Sequence, residues 1–301
     1  MPPFIKKIIK NDLKSYILRE VMVLFLITVT LIASYSYYQN KRALTQFSHD
    51  YVSKYAESLV NTIEIRMWEP LESSHLVTLW LPPIKSLKEI KAEQIVYLKN
   101  LLKIFSTLSG FHFSLENGDF LHFHTVSEGD VFQTKPTEKL PLNTEYCIVS
   151  ITHENDKPQE IWEYYNKNDR IITQEIIPIP SYDARLKEWY GEAKRKKGLY
   201  ISPDVELGKF IKNLVITSSR PFLDAHKNVW GVAAADLDIR RISQFLKENI
   251  TSPSTLMFIL NEEEEVIASS NVALPMSNIG SHARLVTLKE LEDSIVWSVV
   301  K

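Results

Sequence analysis

The sequence is poor in the residues that many familiar functional sites require. Its 301 residues include one cysteine, Cys147, and only 8 glycines. A single cysteine cannot form an internal disulfide, and the apolar run around Cys147 is typical of a small core residue. Phosphate-binding loops need glycine where the backbone approaches phosphate, and no such pattern occurs. His-Glu-x-x-His and Gly-x-Ser-x-Gly motifs are also missing, so none of these enzyme classes is indicated.

Charge and composition narrow the function classes further. The chain has a net charge of -2, with 45% hydrophobic and 24% charged residues, which is ordinary for a folded protein. No basic excess is present, so a nucleic-acid partner is not predicted. No nucleophile–base pairing or metal-ligand cluster is evident from the spacing. We therefore predict that this chain is not an enzyme and that it needs no cofactor.

One long apolar segment dominates the N-terminal region. Residues 21–38 carry no charge, and as a helix they would span roughly 27 Å, close to the bilayer core of about 30 Å. Five basic residues precede the segment: Lys6, Lys7, Lys10, Lys14 and Arg19. This bias predicts a cytoplasmic N-terminus. A cleaved signal peptide is the alternative, but the apolar segment is longer than a usual signal core and Ala33-Ser-Tyr is a poor cleavage site.

Helical patterns follow the apolar segment. We divide this region into a tail (1–20), a transmembrane helix (21–38) and a stalk helix (39–68) with apolar residues at every fourth position. Glu69-Pro70 is predicted to interrupt the helix. A second helix is predicted over 86–108, because Ser86 and Glu89 have the spacing of a capping box.

A histidine-rich hairpin is predicted over 111–126. Asn117-Gly118 favours a two-residue turn, which would place His112 opposite Phe123 and Phe113 opposite His122. His122 and His124 would then lie on one face, with His112 on the other. In that register the three histidines do not converge, so no metal site is predicted.

The remaining chain is rich in strand patterns. We expect a domain over 69–250 and a second strand pattern over 251–301. Strands are predicted at 146–151, 160–165, 171–179, 199–202, 215–221, 229–237, 256–260, 266–270 and 295–300, and helices at 185–194 and 239–250. The second pattern repeats the strand–turn–strand opening of a PAS-like unit. It is too short for a whole unit, so it is expected to be truncated.

The segment from Ser181 to Leu237 contains the clearest motif cluster. It reads Tyr182-Asp-x-Arg-x-x-x-Trp189-Tyr190, then Tyr-x-Ser-Pro, Ser-x-Arg-Pro and Gly-Val-x-x-x-Asp, which ends at Asp236. A carboxylate inside an apolar strand needs a partner, because burying an unpaired charge is costly. Aromatic faces beside such a carboxylate suit a small cation or amine.

This motif order closely resembles the double Cache (tandem PAS-like) sensor domains of bacterial transmembrane signalling receptors. The resemblance covers the chain from about residue 40 to its end. It implies an α+β fold with a long N-terminal helix, a membrane-distal PAS-like antiparallel sheet domain and an incomplete membrane-proximal unit. It also implies a homodimer through the stalk helix, with most of the chain outside the bacterial cytoplasmic membrane.

The same resemblance implies a set of ligand-binding residues: Tyr182, Lys187, Trp189, Tyr190, Asp204 and Asp236. Lys187 stands where amino-acid-binding members have arginine, and a lysine pairs with a carboxylate without the bidentate fork. Asp204 stands where those members often have an aromatic residue, which favours a more cationic ligand. In the alternative interpretation, Trp189 and Tyr190 are core aromatics and Asp236 only stabilises the fold.

Two function classes follow from these patterns. The first is a sensor input region that binds a small molecule, such as an amine or amino acid, and signals across the membrane. Its output domain, of kinase, nucleotide cyclase or chemoreceptor type, is expected to lie outside this chain. The alternative is a membrane-anchored periplasmic enzyme or protein-interaction module on the same scaffold.

Overall fold

The computed structural model describes most of the chain. The described residues are 3–126, 140–154, 157–180, 182–203, 205–208, 210, 213–250, 255–271, 277–279 and 282–290. Backbone contacts divide the chain into two units, Met1–Ile63 and Glu64–Lys301.

The first helix, α1 (Pro3–Trp80), is continuous. Among the described residues it is the one helix long and apolar enough to cross a membrane. The predicted break at Glu69-Pro70 is wrong, because α1 continues through Pro70. A proline has no N–H to donate to the carbonyl four residues earlier. Here the Thr107 hydroxyl donates to the Arg66 carbonyl instead, at 3.0 Å, so the helix tolerates the proline.

The second helix, α2 (Ala92–Ile104), is shorter than predicted at both ends. Ser86 does act as a cap, but it caps a separate 3-10 turn over Leu87–Glu89. After Ile104 the chain turns into a strand that begins at Leu108, so the predicted helix end at residue 108 is also wrong.

A nine-stranded antiparallel sheet forms the centre of the second unit, and the predicted α+β class is confirmed. The strands run in the order β5-β4-β3-β2-β1-β9-β8-β6, and β7 also pairs with β8. They are β1 (Leu108–Leu115), β2 (Phe120–Thr125), β3 (Tyr146–Glu154), β4 (Lys157–Tyr165), β5 (Ile171–Ile177), β6 (Tyr200–Ile201), β7 (Glu206–Leu207), β8 (Leu214–Leu223) and β9 (Val229–Asp238).

The turn between β1 and β2 has three residues rather than the predicted two. The Leu115 amide donates to the Asp119 carbonyl at 2.8 Å, which closes the loop around residues 116–118. Gly118 takes a φ of 94°, which glycine adopts without strain. His112 therefore lies opposite His122, and Phe111 opposite Phe123. The predicted register is wrong by one residue, and this slip moves the histidine side chains to one common face.

Helices cover both faces of the sheet. A 3-10 turn over Ala184–Leu186 leads into α3 (Glu188–Lys196), and α4 (Ile239–Glu248) follows β9 directly. On β8, the Ser219 hydroxyl donates to the Trp189 carbonyl of α3 at 2.8 Å. The neighbouring Ser218 hydroxyl donates to the Leu71 carbonyl of α1 at 2.5 Å. Successive residues of this strand thus contact helices on opposite faces.

Two small hairpins follow α4. They are formed by β10 (Phe258–Leu260) with β11 (Val266–Ser269) and by β12 (Ser277–Ile279) with β13 (His282–Arg284). The Ser269 amide donates to the Ser243 hydroxyl of α4 at 3.3 Å. That this region opens a second PAS-like unit remains a prediction. The strand predicted at 295–300 lies outside the described residues.

The hydrogen bond from Thr107 to the Arg66 carbonyl, which compensates for Pro70, leads to a prediction about stability. Thr107→Val removes the donor to the Arg66 carbonyl, and we expect a cost of about 1 kcal/mol in the free energy of unfolding. In a Pro70→Ala background the new amide at position 70 can donate to that carbonyl. The cost of Thr107→Val should then fall by half or more. Denaturant titration followed by tryptophan fluorescence measures both values.

Thr107→Ser is the matched control, because it retains the hydroxyl and should change stability less than Thr107→Val. Equal costs of Thr107→Val in the wild-type and Pro70→Ala backgrounds would contradict the proposed replacement of one donor by another.

Candidate functional site

Two cross-strand rows on one face of the sheet form the floor of the site. The first row contains, from β2 to β8, His124, Gly110, Asp236 and Thr217. The second row contains, in the same order, His122, His112, Ala234 and Ser219. Asp236 is therefore diagonal to His112. The small residues Gly110 and Ala234 leave space between the larger side chains.

Gly110 is required by the close approach of its neighbours. A Cβ atom at this position would lie 2.8 Å from Nε2 of His122 and 2.7 Å from the Phe123 carbonyl oxygen. Both distances are shorter than real carbon contacts. The absence of a side chain at Gly110 therefore creates the space for the His122 ring.

Asp236 is a buried carboxylate with two partners. Oδ1 accepts a hydrogen bond of 2.7 Å from the Thr217 hydroxyl, and Oδ2 lies 3.3 Å from Nδ1 of His112. Burial alone would raise the pKa of Asp236, but the adjacent His112 and the Thr217 hydrogen bond lower it. The carboxylate is thus ionised at neutral pH although its residue is only 8% exposed.

His122 has a different environment. Neither of its ring nitrogens has a hydrogen-bond partner among the described residues, and the same holds for Nε2 of His112. Burial, together with the nearby His112 and His124, lowers the pKa of His122 well below its usual value. The ring is therefore neutral at neutral pH. Buried polar atoms without partners are uncommon in native proteins and need an explanation.

A cavity of about 80 Å³ lies above these rows, and four aromatic residues form its walls. They are Phe120, Tyr182, Trp189 and Phe210. The Trp189 ring packs against the His112 ring with 4.6 Å between centroids. The cavity therefore combines a charged floor with π faces, an arrangement that suits a small cation.

The predicted site residues divide into three groups. Tyr182, Lys187, Trp189 and Asp236 line the cavity. Tyr190 does not, since its hydroxyl donates to Oε1 of Glu116 at 2.6 Å. Asp204 lies outside the described residues, so its position stays a prediction.

The two arginines of the motif cluster, Arg185 and Arg220, form ion pairs with carboxylates other than Asp236. Arg185 forms an ion pair with Asp183 at 2.8 Å, and Arg220 forms one with Glu72 at 2.6 Å. The partners of Asp236 come from β1 and β8 instead.

Sequence reasoning missed nine of the residues that line the cavity, among them His112, His122 and Thr217. The histidines were missed because the predicted two-residue turn put them on opposite faces. The same sequence is also compatible with a three-residue loop that has Gly118 at positive φ, and that loop would have placed His112 and His122 on one face.

Three side chains at the floor of the cavity, those of His112, His122 and Asp236, have the donor types of a metal site. One donor atom each from His112, His122 and Asp236 lies within 4.8 Å of the other two, and all three residues are buried. Imidazole nitrogen and carboxylate oxygen are common ligands of divalent transition metals.

Comparisons with known proteins identify a family model that matches part of the chain. The family model for the first PDC sensor domain of methyl-accepting chemotaxis protein-like proteins matches residues 137–244. No curated protein sequence matches the chain.

Solved structures also show similarity. One is the ligand-binding domain of the Campylobacter jejuni chemoreceptor Tlp3 in complex with 4-methylisoleucine, at 15% identity and a TM-score of 0.39. The alignment covers 76% of this chain and 69% of the solved Tlp3 domain. Another is the ligand-binding domain of the Pseudomonas aeruginosa PAO1 amino acid chemoreceptor PctC in complex with GABA. It has 12% identity and a TM-score of 0.44, and the alignment covers 73% of this chain and 74% of the solved PctC domain.

The family match includes α3, β8 and β9, and therefore most of the motif cluster and Asp236. The predicted resemblance to Cache-type sensor domains is thereby confirmed over residues 137–244, which match the PDC sensor family model.

Proposed function

We propose that this chain is the extracytoplasmic input region of a membrane-bound bacterial signalling receptor, and that its cavity binds a small cationic ligand at Asp236. The observation that carries the proposal is the buried carboxylate of Asp236 beneath aromatic walls. A buried anion is stabilised by a cation, and ring faces add cation–π attraction.

The size of the cavity supports the smallest ligands of the predicted classes. Its volume of about 80 Å³ is well below the roughly 300–1,000 Å³ of usual small-molecule sites. A small amine would place its ammonium at Asp236. A small amino acid would also direct its carboxylate to Lys187, which lines the same cavity with its Nζ atom 5.7 Å from the Tyr182 ring centre.

Strand β8 supplies a route from the cavity to α1. Thr217 bonds to Asp236 on the cavity side, while the next residue, Ser218, bonds to the Leu71 carbonyl of α1. Arg220 adds an ion pair of 2.6 Å to Glu72, one residue further along α1. Ligand binding that moves β8 would therefore act directly on this helix, which also contains the apolar membrane segment.

The proposed receptor is anchored in the cytoplasmic membrane with its N-terminus inside, and it signals as a homodimer to an output domain of kinase, cyclase or chemoreceptor type. α1 exposes a stacked aromatic series on the stalk: Phe47, Tyr51 and Tyr55 form centroid contacts of 6.5 and 6.4 Å. Phe47 and Tyr51 are 69% and 55% exposed. Pairing of two α1 helices would bury these rings.

A ligand screen tests the cationic ligand. The 301-residue chain in detergent is screened by thermal shift against small amines, amino acids and, as a comparison, small carboxylates. A binder present at about one hundred times its dissociation constant should raise the melting temperature by about 5–10 °C. Asp236→Asn should abolish this shift, because the amide keeps the shape but loses the charge.

Tyr190→Phe is the matched control. It removes the hydrogen bond to Glu116, which lies outside the cavity, so it should lower stability but preserve the ligand shift. A shift that persists in a folded Asp236→Asn variant would contradict binding at this carboxylate. No shift with any amine or amino acid would contradict both organic ligand classes.

Cysteine cross-linking tests the dimer. The native Cys147 is 1% exposed, so a cysteine introduced on the stalk would be the accessible thiol. Tyr51→Cys in membranes should form a disulfide-linked dimer under mild oxidation. Ser53→Cys, about 200° away around the helix, is the control and should cross-link much more slowly. Equal rates at both positions would contradict pairing through the aromatic series.

A further inference from the structure

We propose that His112, His122 and Asp236 form a binding site for a divalent transition-metal ion, with Zn²⁺ as its test ion. This inference deepens the proposed function by naming the class of cation. The role of the ion as an input signal rests on that proposed function. The three residues come from three adjacent strands, β1, β2 and β9, so the fold of the sheet is needed to bring them together.

The donor atoms have suitable spacing. They lie within 4.8 Å of one another, and Nδ1 of His112 is already 3.3 Å from Oδ2 of Asp236. Zinc bonds to nitrogen and oxygen are about 2.0–2.2 Å long, so ligand atoms in a tetrahedral site are roughly 3.4 Å apart. A pair at the 4.8 Å limit would need to close by about 1.4 Å when the ion binds.

Unpartnered nitrogens provide an independent observation. Both ring nitrogens of His122 and Nε2 of His112 are buried without a hydrogen bond among the described residues. Each residue is only 6% exposed. Leaving such atoms unsatisfied is unfavourable, whereas a metal ion would use the His122 lone pair.

An ion pair between His112 and Asp236 is the simpler explanation for two of the three residues. It accounts for their distance of 3.3 Å, but it gives the ring nitrogens of His122 no hydrogen bond among the described residues. If the cluster served only to form this ion pair, position 122 would not need ring nitrogens, and an apolar ring would pack there equally well. His122 is therefore the residue that distinguishes a metal site from an ion pair.

The surrounding residues hold the proposed ligands in place. Thr217 binds Oδ1 of Asp236, which directs Oδ2 towards His112. Trp189 packs on the His112 ring, and Gly110 makes room for His122. Hydrogen bonds to ligating groups are a usual feature of metal sites. Three protein ligands leave a coordination position towards the cavity, as expected for an exchangeable ion.

The test uses the 301-residue chain in detergent, treated with EDTA and then titrated with ZnCl₂. We expect saturable binding of one ion and a rise in melting temperature of about 5–10 °C at one hundred times the dissociation constant. Co²⁺ should bind in place of Zn²⁺ and give visible absorption bands of a nitrogen- and oxygen-coordinated ion. Absence of a zinc-dependent shift in the wild-type chain would overturn the proposal.

His122→Phe is the decisive variant, because it retains an aromatic ring among aromatic neighbours and removes both unpartnered nitrogens. We expect it to be at least as stable as the metal-free wild type and to bind Zn²⁺ at least about 100-fold more weakly. His226→Ala is the control, since His226 lies in an exposed turn and should not affect binding. A folded His122→Phe variant with unchanged zinc affinity would overturn the proposed site.

Parallel titration with small amines separates this inference from the proposed function. An amine shift without a zinc shift would reject the metal site and support the organic ligand. A zinc shift lost in both His122→Phe and Asp236→Asn would support the metal site even if every amine fails. No shift with either would reject both.

Discussion

The register of β1 against its two neighbours is the constraint on which the site depends. Pairing with β2 places His122 beside His112, and pairing with β9 places Asp236 beside Gly110. Both pairings are antiparallel, so a shift of one residue in either would turn the facing side chains away. The three-residue loop with Gly118 at positive φ determines the first register, and the length of that loop therefore selects the chemistry of the cavity.

In this register, the buried carboxylate of Asp236 contacts residues from both neighbouring strands. Thr217 and His112 approach its two oxygens from opposite sides, and Trp189 covers the histidine. The same strand that supplies Thr217 contacts α1 through Ser218. The floor of the cavity and the helix that contains the candidate membrane span are thus joined by adjacent residues of one strand rather than by a long chain of contacts.

Much of this architecture was predictable from local patterns. The apolar segment, the strands and α3 follow from hydrophobic periodicity and turn residues. Of the residues that the motif cluster proposes for ligand binding, Tyr182, Lys187, Trp189 and Asp236 line the cavity. The position of Tyr190 on its helix does not show from the sequence whether the side chain faces the cavity or Glu116. The packing of the folded chain directs its hydroxyl to Glu116. The histidine register depends on one backbone dihedral at Gly118, which Asn-Gly allows in two loop lengths. The helix break predicted at Pro70 was wrong because the hydrogen bond that proline cannot donate is replaced by one from the Thr107 hydroxyl, a donor distant in sequence.

The small volume of the cavity has a consequence for selectivity. About 80 Å³ corresponds to the liquid volume of only two or three waters, at roughly 30 Å³ each, so a cation that reaches the floor would exchange part of its hydration shell for protein groups. Mg²⁺ gives up water reluctantly and prefers six oxygen ligands, whereas the cavity lining offers imidazole nitrogens beside two carboxylates, Asp236 and Glu206. Dehydration would thus act as a filter against abundant hard cations, and discrimination would come from the cost of losing water rather than from the shape of the ligand.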